Sequence, residues 1–482
     1  MDGASAVGLR RFAADQRTAL IEHLTEWVRI PSIVGSPEHA DALRWSAEHL
    51  AAECRAAGFP RTEVWEQGDS FAVFAECITA PDAPTVLVYS HHDVRPVHQE
   101  RWRQTDPFEP VVRDGLLFGR GSSDAKGQVA AHLLGLRAHV AVHGAPGVNV
   151  RFLIDGEEEL GSPHLGELFD AHADDLAADL VLYSDTMLLD PKRPAVCTAL
   201  RGMVGATLTV HGPDTAVHSG TVSGTSPNPI HDLVDLLAAL HDEEGRVAVP
   251  GIADPAVGPD DAQREAYAEL GIEADDWVAR TETARDAGEP GFSIPERLWA
   301  RPAIEVMSMT GGDTDDMPRA VIPATATAEI SIRIAAPQHP QAAAADFERW
   351  AASRLRGIRY DLEFSHLTAQ APYRTPDHPA VEALAAAMAI GFEADRVGRM
   401  GNGGSGPADF LTRRTGAPVV FFGTGLPTDH WHAPDERVDL EVLERGAVTL
   451  ADFWRRMPEV LQTSAARPSG QPPAPNVPRP RR

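Results

Sequence analysis

His91 and Asp93 stand two residues apart in Tyr89-Ser90-His91-His92-Asp93-Val94, directly after the apolar run Thr85-Val86-Leu87-Val88. Asp124 closes Gly119-Arg120-Gly121-Ser122-Ser123-Asp124, and Asp185 follows the apolar run Leu180–Tyr183. Glu158 and Glu159 sit in Asp155-Gly156-Glu157-Glu158-Glu159-Leu160-Gly161-Ser162, and His432 lies in His430-Trp431-His432-Ala433-Pro434. Imidazole and carboxylate without thiolate is the donor set of hydrolytic zinc, manganese or cobalt sites rather than of structural zinc. An acidic run such as Glu157-Glu158-Glu159 is ordinarily a solvated turn, but histidines and aspartates at other strand ends change its meaning. Two histidines and three carboxylates satisfy two dications if one carboxylate bridges them, and two-metal sites hold their ions ~3.5–4 Å apart. That leaves one of the two glutamates over, and a spare carboxylate beside an activated water is what a general base requires.

These residues need strands and helices to bring them together. Residues 84–89, 148–154 and 180–183 have strand length and strand composition. Residues 17–28 read as an amphipathic helix with Leu20, Ile21, Leu24 and Trp27 on one face, stopped by Pro31, and residues 39–57 as a second helix ending at Gly58. Residues 126–140 form a third. Strands alternating with helices indicate an α/β sheet, in which chemistry gathers beyond the carboxyl ends of the strands. From Gly205 to about Ala371 the texture changes to short alternating strands with helices such as residues 230–240. In residues 324–334, Ala324, Ala326, Ala328, Ile330, Ile332 and Ile334 share one face and Thr325, Thr327, Glu329, Ser331 and Arg333 the other, the mark of a half-buried sheet. Residues 251–296 are polar and acidic without clean periodicity and read as an excursion on that unit. Helix, strand and helix resume at 381–390, 418–422 and 440–454. The expected fold is α/β: a discontinuous catalytic domain with a mixed sheet flanked by helices, over 1–202 and 372–464. An α+β lid or dimerisation domain is inserted at 203–371, and a Pro/Arg-rich disordered tail follows at 465–482.

At 482 residues the chain exceeds the ~250–300 at which a single core stops growing, so two domains are expected. Its formal net charge of -27 argues against nucleic acid or an anionic membrane as a partner. A mean hydropathy of -0.22 and no apolar run of spanning length argue against a membrane protein. Cys54, Cys77 and Cys197 make no disulfide framework and no Cys-x-x-Cys zinc site. The first residues lack a basic segment followed by an apolar core, so a cytoplasmic location is expected.

In combination and order, the motifs around His91, Asp124, Glu158 and Asp185 resemble those of the di-zinc metallopeptidases, which include carnosine-type dipeptidases, aminoacylases and succinyl-diaminopimelate desuccinylases. The resemblance covers nearly the whole chain except the tail. It implies two divalent ions, zinc first with manganese or cobalt as alternatives. His91 and Asp185 would hold one, Glu159 and His432 the other, with Asp124 bridging. Glu158 would be the general base, and Asp93 would orient the His91 imidazole. His92 and His430 are rival ligands that the motif register disfavours. Two positions depart from the family habit: Ala125 stands where an acidic residue or Asn is common, and Asp155 where Glu is usual. A cis peptide at Asp124–Ala125 is also implied.

The same resemblance assigns further residues. His218, in Val217-His218-Ser219-Gly220, would reach a partner subunit's active site and steady the oxyanion, which implies a homodimer. Arg333, in Ser331-Ile332-Arg333, would bind the substrate carboxylate, a natural bidentate pairing. Apart from the resemblance, Gly404 and Ser405, in Gly403-Gly404-Ser405-Gly406-Pro407, precede a helix with Pro in its first turn, where flexible glycines could cradle a carboxylate or oxyanion. Arg297-Leu298-Trp299 and Gly311-Gly312 favour the dipeptidase branch. The expected activity is metal-dependent hydrolysis of short peptides. N-acyl-amino-acid deacylation is the alternative, and a catalytically silent metal- or peptide-binding member the lesser one.

Overall fold

The computed structural model describes residues 3–254, 257–312 and 319–465, with the side chains of 366–368 and 464–465 left aside. The tail expected from 465 onward lies, beyond Ala465, outside the described residues. A nine-stranded sheet organises the chain. At its centre Asn149–Asp155, Thr85–His91, Leu180–Tyr183 and Val419–Phe421 run parallel to their neighbours, with His91 opposite Asp155 and Tyr89 opposite Tyr183. Ser70–Cys77 and Arg61–Gln67 extend one side antiparallel. Ala195–Leu200, paired with Gly398–Asn402 and Tyr373–Arg374, extends the other.

Val86 and Val88 face one core while Leu87 and Tyr89 face another, so both sides of the sheet are covered. The first core takes the helices Ala40–Ala56, Lys126–His143, Pro379–Gly391 and Leu440–Ala465. Gly135 lets two of these helices touch: a Cβ there would lie 2.9 Å from the Ala447 carbonyl oxygen. A four-stranded sheet, in the order Ala303–Gly311, Thr325–Ile334, Gly202–His211 and Arg359–Gln370, forms a separate layer. Ala326, Ala328, Ile330, Ile332 and Ile334 are buried under the helices Pro229–Ala238 and Pro340–Arg354, as the alternation predicts.

The differences from expectation have physical causes. The C-terminal helix runs to Ala465, past Pro458, because Val448, Ala451, Phe453, Trp454, Met457 and Leu461 keep its inner face buried. The 251–296 stretch is not irregular. It holds the helices Asp261–Glu269, Ala274–Thr281 and, from its end, Ile294–Trp299. The first and last start with capping boxes, Asp260 with Gln263 and Ser293 with Glu296. Tyr267, Leu270, Trp299 and Ala300 join the core of the large sheet rather than that of the smaller one, so the excursion leans on the first unit. The N-terminal helix Gly3–Asp15 and the two antiparallel strands before residue 78 were not anticipated. All three cysteines are free, as expected.

Candidate metal centre

The four parallel strands end on one edge, and this delivers the chemistry. His91 is the last residue of its strand, Asp155 opens the acidic turn at the end of the next, and Asp185 follows Tyr183 by two residues. His432 comes from the loop after Val419–Phe421 and has a left-handed backbone, φ 59°. Asp124 precedes the helix Lys126–His143 across a cis peptide to Ala125, as expected.

The side chains fall into two groups of facing ligand atoms: His91, Glu158 and Asp185, and Asp124, Glu159 and His432. Asp124 lies between them. Its Oδ1 is 3.2 Å from His91 Nε2 and its Oδ2 is 3.0 Å from His432 Nε2. His91 Nε2 is 3.6 Å from Asp185 Oδ1, and His432 Nε2 is 3.2 Å from Glu159 Oε2. Ligand atoms that share a tetrahedral zinc with bonds near 2.0–2.2 Å sit roughly 3.3–3.6 Å apart, so the spacing fits a shared cation. Asp124 Oδ2 and Asp185 Oδ1 are buried without a hydrogen-bond partner among the described residues, a costly state that a cation would relieve. By donor type, spacing and orphaned oxygens, the site fits two divalent ions.

Electrostatics agree. Burial alone would lower the His91 imidazole, but the carboxylates of Asp124, Asp185 and Asp93 around it lift it well above its usual range. Burial likewise opposes charge on His432, yet Glu159 and Asp124 raise it to about 11. Burial and the nearby Asp185 charge push the Glu158 carboxyl well above the carboxylate range. Acceptors that stabilise imidazolium so strongly are acceptors that attract cations.

Asp93 does more than expected. Its Oδ1 is 3.3 Å and its backbone oxygen 3.1 Å from His91 Nδ1. Its carboxylate also accepts the Glu158 and Glu159 amide N–H groups at 3.2 and 3.0 Å, so one side chain aims the imidazole and sets the acidic turn. His92 instead bonds Ser46 Oγ and the Phe71 carbonyl, and His430 the Pro434 carbonyl, so neither rival joins the two groups. Glu157 is tied to His164, apart from the centre.

A cavity of about 400 Å³ opens on the centre and includes Asp124, Glu158, Glu159, Asp185 and His432, together with Arg333, Gly404 and Ser405. Arg333 Nη1 donates to Ser405 Oγ at 3.2 Å. Pro407 is the N-cap of the helix Ala408–Thr415 rather than part of its first turn, so the glycine loop lies wholly ahead of the helix. His218 is exposed on the two-residue strand Val217–His218 and does not line this cavity.

Several contributors were invisible in the sequence. The Glu436 carboxylate accepts N–H groups from Gly121, Ser123 and Asp124 and pairs with Arg120 Nη1 at 2.6 Å, holding the Asp124 loop. Asp429 accepts from Ser123 Oγ at 2.6 Å. Arg95 Nε is 2.8 Å from Glu159 Oε2. Trp277, Leu298 and Trp299 of the excursion line the cavity. No spacing rule marks a single Glu or Trp a hundred or more residues from its partner.

Residues 87–456 match Peptidase family M20/M25/M40. The chain belongs to that family. It is thus a metallopeptidase, as the resemblance implied. The Cysteinylglycine-S-conjugate dipeptidase of Corynebacterium striatum is 31% identical over 447 residues, which is 91% of this chain and 95% of that one. The di-peptidase Dug1p from Saccharomyces cerevisiae has the same fold, with a TM-score of 0.83 at 21% identity over 94% of this chain and 98% of that one. Human carnosine dipeptidase 1 is similar at a TM-score of 0.82 and 24% identity, over 94% and 99%. No helix among the described residues of this family member is long and apolar enough to cross a membrane.

Proposed function

We propose that the chain is a dipeptidase with two divalent ions, zinc first among them, held by His91, Asp185, Glu159 and His432 and bridged by Asp124. The observation that carries this reading is the position of Asp124, whose two carboxylate oxygens face His91 and His432 at 3.2 and 3.0 Å. When bound, the ions act as Lewis acids toward the water and the scissile carbonyl. Glu158, on the cavity wall, takes the proton of the attacking water and delivers it to the leaving amine nitrogen. Asp93 keeps the His91 ring in register throughout. Arg333 and Ser405, already hydrogen-bonded to each other, receive the substrate's terminal carboxylate with the Gly404 backbone. Holding both ends of a small substrate restricts the site to short peptides.

In this reading residues 203–371 form the lid and dimerisation unit between the catalytic parts 1–202 and 372–464. The edge strand Ala303–Gly311 supports a homodimer, since Val306, Met307 and Met309 are exposed at 42%, 66% and 53% on an edge with no partner strand among the described residues. His218, which does not line its own cavity, would then serve the partner's oxyanion. The cytoplasmic assignment belongs to the same proposal. The relatives are named as dipeptidases, so deacylation of N-acyl amino acids is not favoured, and the presence of Glu158 speaks against a silent member. The test is to assay the metal-loaded enzyme on dipeptides and on N-acetyl and N-succinyl amino acids. Dipeptide hydrolysis should dominate, and rapid deacylation without peptide hydrolysis would refute the proposal.

A further inference from the structure

The helix Ala274–Thr281 buries none of its residues in a core, yet it carries a tryptophan on a side that faces inward. Trp277 and Arg280, three apart and therefore on one helical face, both line the catalytic cavity, while Asp275 and Asp276 are exposed. The half-buried indole of Trp277 shares the cavity lining with Leu188, Leu189, Met203, Leu298 and Trp299. This wall is rigid. Leu189 and Trp299 are 5% exposed within the core of the large sheet. Tyr267 packs edge-on to Trp299 at 5.1 Å, and a Cβ on Gly401 would come within 2.6 Å of Trp299 Cβ. At about 400 Å³ the cavity falls in the range of sites that enclose drug-sized ligands, about 300–1,000 Å³. Two small residues would leave its apolar half filled only by water.

We propose that this apolar half receives one large apolar or aromatic side chain of the substrate peptide, and that Trp277 determines that selectivity by forming the slot's outer wall. The inference rests on the dipeptidase reading of the same cavity and names its substrate class. An aromatic guest would stack on or meet the edge of the indole, a pairing favoured beyond simple burial, and its hydration shell would be released. Because the helix lies outside any core, changing Trp277 puts little of the fold at risk.

The experiment measures kcat/KM for Phe-Gly, Gly-Phe and Gly-Gly with the metal-loaded wild type and with Trp277→Ala and Trp277→Phe. The wild type should favour the better aromatic isomer over Gly-Gly by about tenfold or more, in keeping with discrimination by apolar pockets. Trp277→Ala should cut that ratio about tenfold and Trp277→Phe should restore most of it. A general structural defect would lower all three substrates and leave the ratio in place. An unselective wild type, or a ratio that Trp277→Ala shifts by less than about twofold, overturns the inference while leaving the dipeptidase reading intact. If no dipeptide is cleaved, that reading fails by itself. The slot is then judged by calorimetric binding of N-acetylphenylalanine against N-acetylglycine: tighter aromatic binding that Trp277→Ala weakens supports it, and equal binding overturns it.

Discussion

Glu436 and Asp124 are 312 residues apart in sequence, yet the Glu436 carboxylate accepts the Asp124 amide N–H at 3.1 Å. The same carboxylate takes N–H groups from Gly121 and Ser123 and is fully buried. Asp124, the proposed bridging ligand, is therefore set from the C-terminal part of the chain, which also supplies His432. Replacing Glu436 with Gln keeps the shape but puts an amide NH₂ against backbone donors. Metal affinity should fall about 10–100-fold, as for other partners that orient ligands. Chelator competition, scored as metal retained per chain, checks this, and wild-type retention would show that the loop sets itself.

Arg333 should act in binding more than in chemistry. It is half-buried and lines the cavity, and burial lowers its basicity somewhat, so a charged ligand group suits it. Arg333→Lys loses the fork that matches a carboxylate. We expect KM for dipeptides to rise about tenfold or more with a smaller change in kcat. Dipeptide amides, which lack the terminal carboxylate, should show little difference between the two enzymes. An equal loss on amides would place Arg333 in another role.

Acid should destabilise the fold from within. Burial lowers His132 and, with help from His49 and Arg137, His23 to about 3 from an ordinary 6.5. Between those values the unfolded chain binds protons that the native chain does not. The stability each of these two residues contributes is therefore complete above pH 6.5 and is lost as pH falls toward 3, by at most about 1.4 kcal/mol per pH unit for each group. Thermal melts of the wild type and of His23→Gln from pH 7.5 to 4 should differ by this contribution, the variant losing less stability on acidification. A variant that follows the wild-type pH profile unchanged would contradict the assignment.

The proposed ligands were legible in the sequence because parallel strands read as short apolar runs, and their ends mark where function gathers. Residues 148–154 led to Glu158 and Glu159, and Leu180–Tyr183 led to Asp185, without knowledge of strand order. Residues 324–334 revealed their buried face through strict alternation. What stayed hidden depends on tertiary contact alone. Glu436 and Asp429 look like any acidic loop residues until the Gly119–Asp124 loop packs on them. The 251–296 stretch lacks periodicity because its helices are short: Asp261–Glu269 buries only Tyr267, and Ala274–Thr281 buries none of its residues. The continuation of the last helix past Pro458 is a case of packing overriding a local signal.

The division of labour between Glu158 and Glu159 is the heart of the account, since Glu158 stands close enough to His91 and Asp185 to be read as a ligand itself. The decisive measurement pairs metal content with dipeptide turnover in Glu158→Gln. Glu158→Gln should hold two ions per chain, as should the wild type, with kcat reduced about 10²–10⁴-fold for loss of the general base. Wild-type turnover, or a protein that has lost an ion, would contradict it.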